Sequence, residues 1–289
     1  MKVLLTGANG QLGRHLCRQV PPGIELIAQS SQDLDITSLA AVEAAVQQHT
    51  PHVIVNAAAY TQVDKAESES ARAFAVNADA VANLVAATPA TTRLVHISTD
   101  FVFDGRKTAP YEPDDETNPL SVYGRSKRAG ELVLLERAAA RSCIIRTAWL
   151  YSAGSKNFMD TMLKLMQTKD SLRVVADQRG TPTSCVTLAG AVWRAVQRST
   201  VTGILHWTDD GETTWHGFAM EIQRLGLQHG LLDRRVPIAA IATHEYPTPA
   251  VRPAYSVLAK AATFAALELQ APPWQQALEQ VILERRSLS

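Results

Sequence analysis

The chain has 289 residues, of which 46% are hydrophobic and 19% charged, and its 28 basic and 28 acidic side chains balance. The length fits one large domain or two joined lobes, and the composition is ordinary for a globular enzyme. Zero net charge gives no electrostatic grip on a nucleic-acid polymer or an anionic membrane, and no apolar run approaches the roughly 18 residues of a membrane span. The apolar start "MKVLLT" stops too early for a signal peptide and reads as a buried strand. Cys17, Cys143 and Cys185 are few and far apart, which fits a reducing compartment, so a cytoplasmic location is expected. His49 and His52 flank Pro51 at a helix-to-strand junction without a ligand pattern, and no metal site is expected.

In chain order, Lys2–Thr6 predicts a strand, "TGANGQLG" a turn, and Gln11–Val20 a helix that Pro21, Pro22 and Gly23 end. Ile24–Ala28 reads as the second strand. Thr37 is the expected N-cap of a helix over Ser38–His49. Val53–Asn56 is the third strand, after which Asp64 is expected to cap one long alanine-rich helix reaching Ala87. Arg93–Ile97 and Ser142–Arg146 give two more strands, with a helix carrying "SVYGRSKRAGE" between them. Short strands alternating with longer helices predict an α/β fold, a Rossmann-type doubly wound parallel sheet with helices on both faces. Residues 1–148 would form this dinucleotide-binding domain. Beyond Thr147 the rhythm loosens, with helices expected over Asn157–Gln167 and Val186–Arg198 and with proline and tryptophan more frequent. Residues 149–289 are expected to form a smaller substrate-binding lobe, with about 185–208 returning to the first domain.

The first turn puts Gly7, Gly10 and Gly13 directly after a strand and at the start of a helix. Glycine allows the tight turn and close approach of backbone to a pyrophosphate, and the helix N-terminus offers free N–H groups to it. Gly7, Gly10, Gln11, Leu12 and Gly13 are therefore expected to hold a dinucleotide. The second strand ends in Ala28, Gln29 and Ser30, with neither a carboxylate to repel a ribose 2′-phosphate nor an arginine to grip one. NADPH is expected, with NADH also accepted. Asp35 and Ile36 are placed at the edge of the adenine pocket, although Asp33 and Asp35 suit loop capping equally well.

Tyr123 and Lys127 stand four apart on a predicted helix and so share a face. A ketone reduced by hydride becomes an alkoxide that needs a proton, and a free tyrosine, with a pKa of about 10, gives one up reluctantly near neutrality. An ammonium about 5 Å away, at an effective dielectric of about 20, favours the phenolate by roughly 3 kcal/mol, or about two pKa units. Ser98 and Thr99 end the fourth strand at the edge where ligands bind, suited to orient a carbonyl oxygen.

Together these motifs resemble the extended short-chain dehydrogenase/reductases and, within them, the dTDP-4-dehydrorhamnose reductase family. The resemblance rests on "TGANGQLG", "VIVNAAAYTQVDKAE", "HISTDFVFDG", "PLSVYGRSKRAGE", "RTAWLY", "DQRGTPTS", "TTWHGFA" and "YPTPAVRP". It implies Tyr123 as proton donor, Lys127 as its partner and Thr99 as the third catalytic residue, with Tyr123 and Lys127 also expected to bind the cofactor, Lys127 at the nicotinamide ribose. It places Ala57, Ala58, Ala59, Tyr60 and Thr61 along the cofactor, and Val63, Thr99, Asp100, Tyr123, Trp149 and Arg252 toward a dTDP-sugar, with Arg252 suited to its diphosphate. The implied reaction is NAD(P)H-dependent reduction of the 4-keto group of dTDP-4-dehydro-β-L-rhamnose, the last step of dTDP-rhamnose biosynthesis. Another nucleotide-sugar 4-reductase or epimerase, or a catalytically silent dinucleotide-binding regulatory subunit, are the alternatives.

Two departures bear on this. Phe101 follows Asp100 where related dehydratases carry a glutamate, which disfavours elimination of water. Some relatives form a dimer bridged by Mg²⁺ through glutamates of the smaller lobe. Here Val186 follows "GTPTSC" and only Glu284 remains, so a homodimer would not be of the Mg²⁺-bridged kind.

Overall fold

Val3, Leu4 and Leu5 are all fully buried, although neighbouring strand residues point to opposite faces. A strand can do this only inside a sheet covered on both sides. In a computed structural model, which describes residues 1–288, six strands make up that sheet. They are β1 (Lys2–Thr6), β2 (Glu25–Gln29), β3 (Val53–Asn56), β4 (Arg93–Thr99), β5 (Ser142–Thr147) and β6 (Gly203–His206). They run parallel throughout in the order β2-β1-β3-β4-β5-β6.

The alternation of side chains divides the core in two. Val3, Leu5, Val53, Val55, Val95, Cys143 and Ile145 pack under Leu188, Val192 and Trp193 of the helix Cys185–Gln197. Leu4, Ile54, Leu94 and Ile144 face the other way, onto Val42 and Val46 of the helix Leu39–His49 and onto Leu84 and Leu134. The chain winds outward from β1 in one direction to β2 and in the other through β3 to β6. The reversal lies between β1 and β3, and at their carboxyl ends it opens the crevice that a doubly wound sheet offers to a ligand.

A second core gathers Tyr151, Met159, Met166, Phe218, Ile222, Trp274 and Leu278 among the helices Phe158–Thr168, Trp215–Gln228 and Trp274–Ser287. Leu172–Val175 pairs in parallel with Ile238–Ile241 beside it. The helix Cys185–Gln197 and β6 do not join this core; they pack on the large sheet. Among the described residues, no helix is long and apolar enough to cross a membrane.

Two local expectations are corrected. Thr37 is not the N-cap. Its amide and hydroxyl both donate to Asp35 (2.9 and 2.6 Å), closing an Asx turn, and Ser38 caps the helix through Ala41 N–H. Nor does Asp64 cap one long helix. The segment is divided into Val63–Ala66, Ser70–Phe74, a π-helical turn Ala75–Asp79 and Ala80–Ala87. Asp64 lies inside the first piece, with its carboxylate on Arg252. The amides of Ser68 and Glu69 and the Ser68 hydroxyl all turn back onto the Lys65 carbonyl, the local competition that ends helices at serine.

Candidate active site

The loops after β1 and β3 touch. Gly7 has φ 74°, and a Cβ there would lie 2.7 Å from the Ala58 nitrogen, so only glycine fits. Gly10 donates to the Gly7 carbonyl (2.9 Å) and starts the helix Gln11–Arg18, whose first turn has no acidic residue; Leu12 and Gly13 are buried within that helix. Gln11 Oε1 accepts from Ser152 (3.2 Å) and Asn157 (3.0 Å), which ties the turn to the smaller core. A cleft of about 380 Å³ runs over Gly7, Gly10, Asp35, Ile36 and Ala57 to Thr61. A glycine cradle closed by a second loop and facing a helix N-terminus fits a dinucleotide diphosphate.

The end of β2 differs from its expected chemistry. Asp33 folds back so that its carboxylate accepts from the Ser30 amide (2.9 Å) and hydroxyl (2.6 Å), while Arg14 and Arg18 line the same recess from the first helix. Both a carboxylate and guanidinium groups therefore stand near Ser30, brought there by a turn and by a neighbouring helix.

Asn77 was not among the expected site residues, yet it organises the site. Its Oδ1 accepts from the Tyr60 amide (2.9 Å), and its Nδ2 donates to the Tyr60 carbonyl (3.1 Å) and to Ser126 (2.9 Å). It thus fixes the loop after β3 to the helix Val122–Arg137, which carries Tyr123 and Lys127. Its only sequence signal was a polar residue within an apolar helical run. Gly124 lets the same helix approach the Asp100–Val102 turn; a Cβ there would lie 2.2 Å from the Phe101 carbonyl oxygen.

Thr99 ends β4 and Tyr123 faces it across this contact. The Thr99 hydroxyl donates to Asp100 Oδ1 (3.1 Å) and accepts from Phe101 N–H (3.2 Å), and the Phe101 and Tyr123 rings meet edge-on at 5.7 Å. Burial raises Asp100 to about 6. The phenol departs from expectation: burial pushes Tyr123 up to about 12, the Thr99 hydrogen bond lowers it and the Asp100 charge raises it. Lys127 Nζ is engaged away from the phenol, donating to the Ile97 carbonyl (2.7 Å) and lying 3.2 Å from His96 Nε2. Burial brings Lys127 down to about 8, with Glu131 pulling it upward.

Glu131, one turn further on, receives Arg146 Nε and Nη2 (both 2.8 Å) and Arg128 (2.9 Å). Its burial would raise its pKa, and the Arg146 contacts outweigh that and lower it.

The remaining predicted residues, Trp149, Val63 and Arg252, are not among those lining that cleft. Trp149 adopts φ 46° and stacks on Trp215 at 3.6 Å between ring centres, a pairing the sequence did not signal. Val63 opens the short helix next to Asp64. Arg252 donates to both Asp64 oxygens (3.0 and 2.7 Å), so its guanidinium ties the "YPTPAVRP" segment to the short helix Val63–Ala66 through an ion pair.

The family described as the RmlD substrate binding domain matches residues 1–287. A dTDP-4-dehydrorhamnose reductase from Sinorhizobium fredii is 38% identical over 289 residues, covering 98% of this chain and 97% of its own. The chain belongs to the dTDP-4-dehydrorhamnose reductase family. Two solved structures of the family agree with it over the whole fold. The Clostridium acetobutylicum protein is 40% identical with a TM-score of 0.92, covering 99% of this chain and 100% of that one. The Bacillus anthracis protein, solved in complex with NADP, is 34% identical with a TM-score of 0.91, covering 98% and 99%.

Within the family fold, Glu284 pairs with Arg18 (3.0 Å) rather than with other acidic groups. Among the described residues, no group of three or more His, Cys, Asp or Glu side chains could hold a metal ion.

Proposed function

We propose that this protein is an NADPH-dependent oxidoreductase that reduces the 4-keto group of dTDP-4-dehydro-β-L-rhamnose to dTDP-β-L-rhamnose, the last step of dTDP-rhamnose biosynthesis. The observation that carries it is a family match along residues 1–287 in a chain whose fold sets Thr99, Tyr123 and Lys127 around one strand end. Bound NADPH supplies hydride to the 4-keto carbon. Gly7, Gly10 and the N-terminus of Gln11–Arg18 hold its diphosphate, and Asp35, Ile36 and Ala57 to Thr61 line its course. Tyr123 delivers the proton that the resulting 4-oxygen needs, and the Thr99 hydroxyl, held by Phe101 N–H, orients that oxygen. Lys127 stabilises the tyrosinate left behind. Trp149, Val63, Asp100 and Arg252 are assigned to the sugar nucleotide. Residues 1–148 with the return of 185–208 form the cofactor domain, and the rest of 149–289 the substrate lobe. A cytoplasmic location, and a homodimer, if formed, without bridging Mg²⁺, complete the assignment.

The test is NADPH oxidation followed by absorbance with dTDP-4-dehydrorhamnose, wild type beside Tyr123→Phe. Turnover is expected in the wild type and a loss of about 10²- to 10⁴-fold in the variant, the usual range for a general acid. No wild-type turnover, in a preparation that binds NADPH, overturns the substrate; full activity of the variant overturns the role of Tyr123.

A further inference from the structure

Thr6, Asn56, His96 and Lys127 come from β1, β3, β4 and the helix Val122–Arg137, and all four are buried. Their polar atoms form an unbroken line. Thr6 Oγ1 donates to Asn56 Oδ1 (2.7 Å), Asn56 Nδ2 lies 3.0 Å from His96 Nδ1, and His96 Nε2 lies 3.2 Å from Lys127 Nζ. The proton positions follow from one end of this line. The Ala58 main-chain N–H also points at Asn56 Oδ1 (3.2 Å), and a main-chain N–H can only donate. Turning the amide over would set two donors face to face and leave that N–H unpaired. Asn56 Nδ2 is therefore the donor and His96 Nδ1 the acceptor. With Nδ1 an acceptor the ring cannot be cationic, and its burial likewise holds it well below the ordinary histidine range, so its one proton must sit on Nε2. That proton points at Lys127 Nζ. An ammonium has no lone pair to receive it; an amine does.

We propose that His96 is a positioning residue for the reaction: locked by Asn56 as the Nε2–H tautomer, it favours the neutral amine of Lys127, which accepts from His96 and donates to the Ile97 carbonyl until the bound cofactor draws a proton onto it. One proton passes from the medium to Nζ, the cationic Lys127 leaves the Nε2–H, and only then does it act on the Tyr123 phenol. The other charged groups around Lys127 do not override this. Glu131 pulls Lys127 toward the charged form, but burial outweighs it, Glu131 being shared with Arg146 and Arg128; Asp100 acts on Tyr123, and Asn77 and Ser126 are uncharged. The uptake step rests on the cofactor reading above; the tautomer does not.

A long-range ¹H–¹⁵N correlation spectrum of histidine-labelled protein without cofactor reads the tautomer directly, with His96→Gln identifying the signal. The expected result at about pH 8.5, where Lys127 is mostly the amine, is a neutral ring protonated on Nε2, and a proton on Nδ1 or a cationic ring there overturns the proposal. Asn56→Asp replaces the amide donor by an acceptor and is expected to move the proton to Nδ1. Calorimetric titration with NADPH in two buffers of different ionisation enthalpy, at about pH 8.5 where the 2′-phosphate is fully ionised, then measures proton uptake. Net uptake is expected in the wild type and at least a halving in Asn56→Asp; equal uptake overturns the coupling. If NADPH does not bind, the cofactor reading fails while the wild-type spectrum still decides the tautomer, as it does if Asn56→Asp does not fold.

Discussion

Lys127 is a buried amino group whose folded pKa of about 8 lies below its ordinary 10.5. Between those values the unfolded chain holds more protons than the folded one, so stability rises with pH across that window, and below it the full cost of burying the charge is felt. At 1.36 kcal/mol per unit this cost is roughly 3 kcal/mol. Lys127→Met keeps the apolar stem and removes the charge. It is expected to abolish turnover yet to exceed the wild type in stability by about 1–3 kcal/mol near pH 7, with the advantage shrinking toward pH 10. Urea unfolding at both pH values measures this, and a variant less stable than the wild type at pH 7 contradicts it. Tyr123 and Lys127 were legible in the sequence because four residues on a helix define one face. Their electrostatics were not legible. The Ile97 carbonyl and His96, which turn the lysine away, lie 30 and 31 residues distant and reach it only through the sheet. Asp33 suits loop capping in the sequence and does cap the turn, but its return to the end of the second strand was not legible, since a three-residue turn carries its carboxylate back to Ser30.

At the scale of elements, the helix carrying the proton donor is held by contact at its first turn. In Gly124→Ala the added methyl, 2.2 Å from the Phe101 carbonyl oxygen, must push the helix or the turn away. The cost expected of such overpacking is about 1–3 kcal/mol. A displacement on the order of 1 Å between Tyr123 and Thr99 is expected to cost about 10²-fold in kcat. Thermal unfolding and steady-state kinetics on one preparation test both parts, and unchanged kcat would show that this contact does not place Tyr123. The strands were read closely from sequence because continuous apolar runs such as "VLL" and "VIV" have few other uses. The helices near Asn157 and Val186 fell within one residue of their observed bounds for the same reason, their caps and apolar faces being local. The region from Val63 to Ala87 was misread because alanine favours helix everywhere, while Ser68 and the partners of Asn77 decide where it breaks.

At the scale of the molecule, Arg252 and Asp64 join segments 188 residues apart. Both side chains are partly exposed, so the pair itself contributes less than about 1 kcal/mol. Arg252→Ala therefore separates two roles. With the guanidinium serving the substrate diphosphate, KM for the dTDP-sugar is expected to rise tenfold or more while Tm stays within a few degrees. An unchanged KM would reduce Arg252 to the ion pair alone.

The sixth strand has an effect of a different kind. The chain leaves the large sheet after Thr147, builds part of the second core, and returns with Cys185–Gln197 and Gly203–His206 before leaving again. Cys143 and Ile145 are covered by that return, so a fragment ending near residue 148 would expose one face of its own sheet. For recombination, whether in a genome or at the bench, the two lobes are thus not interchangeable cassettes. A graft that replaces the substrate side needs several splice points that preserve the returning helix and strand, and a chimera joined once near residue 148 should aggregate.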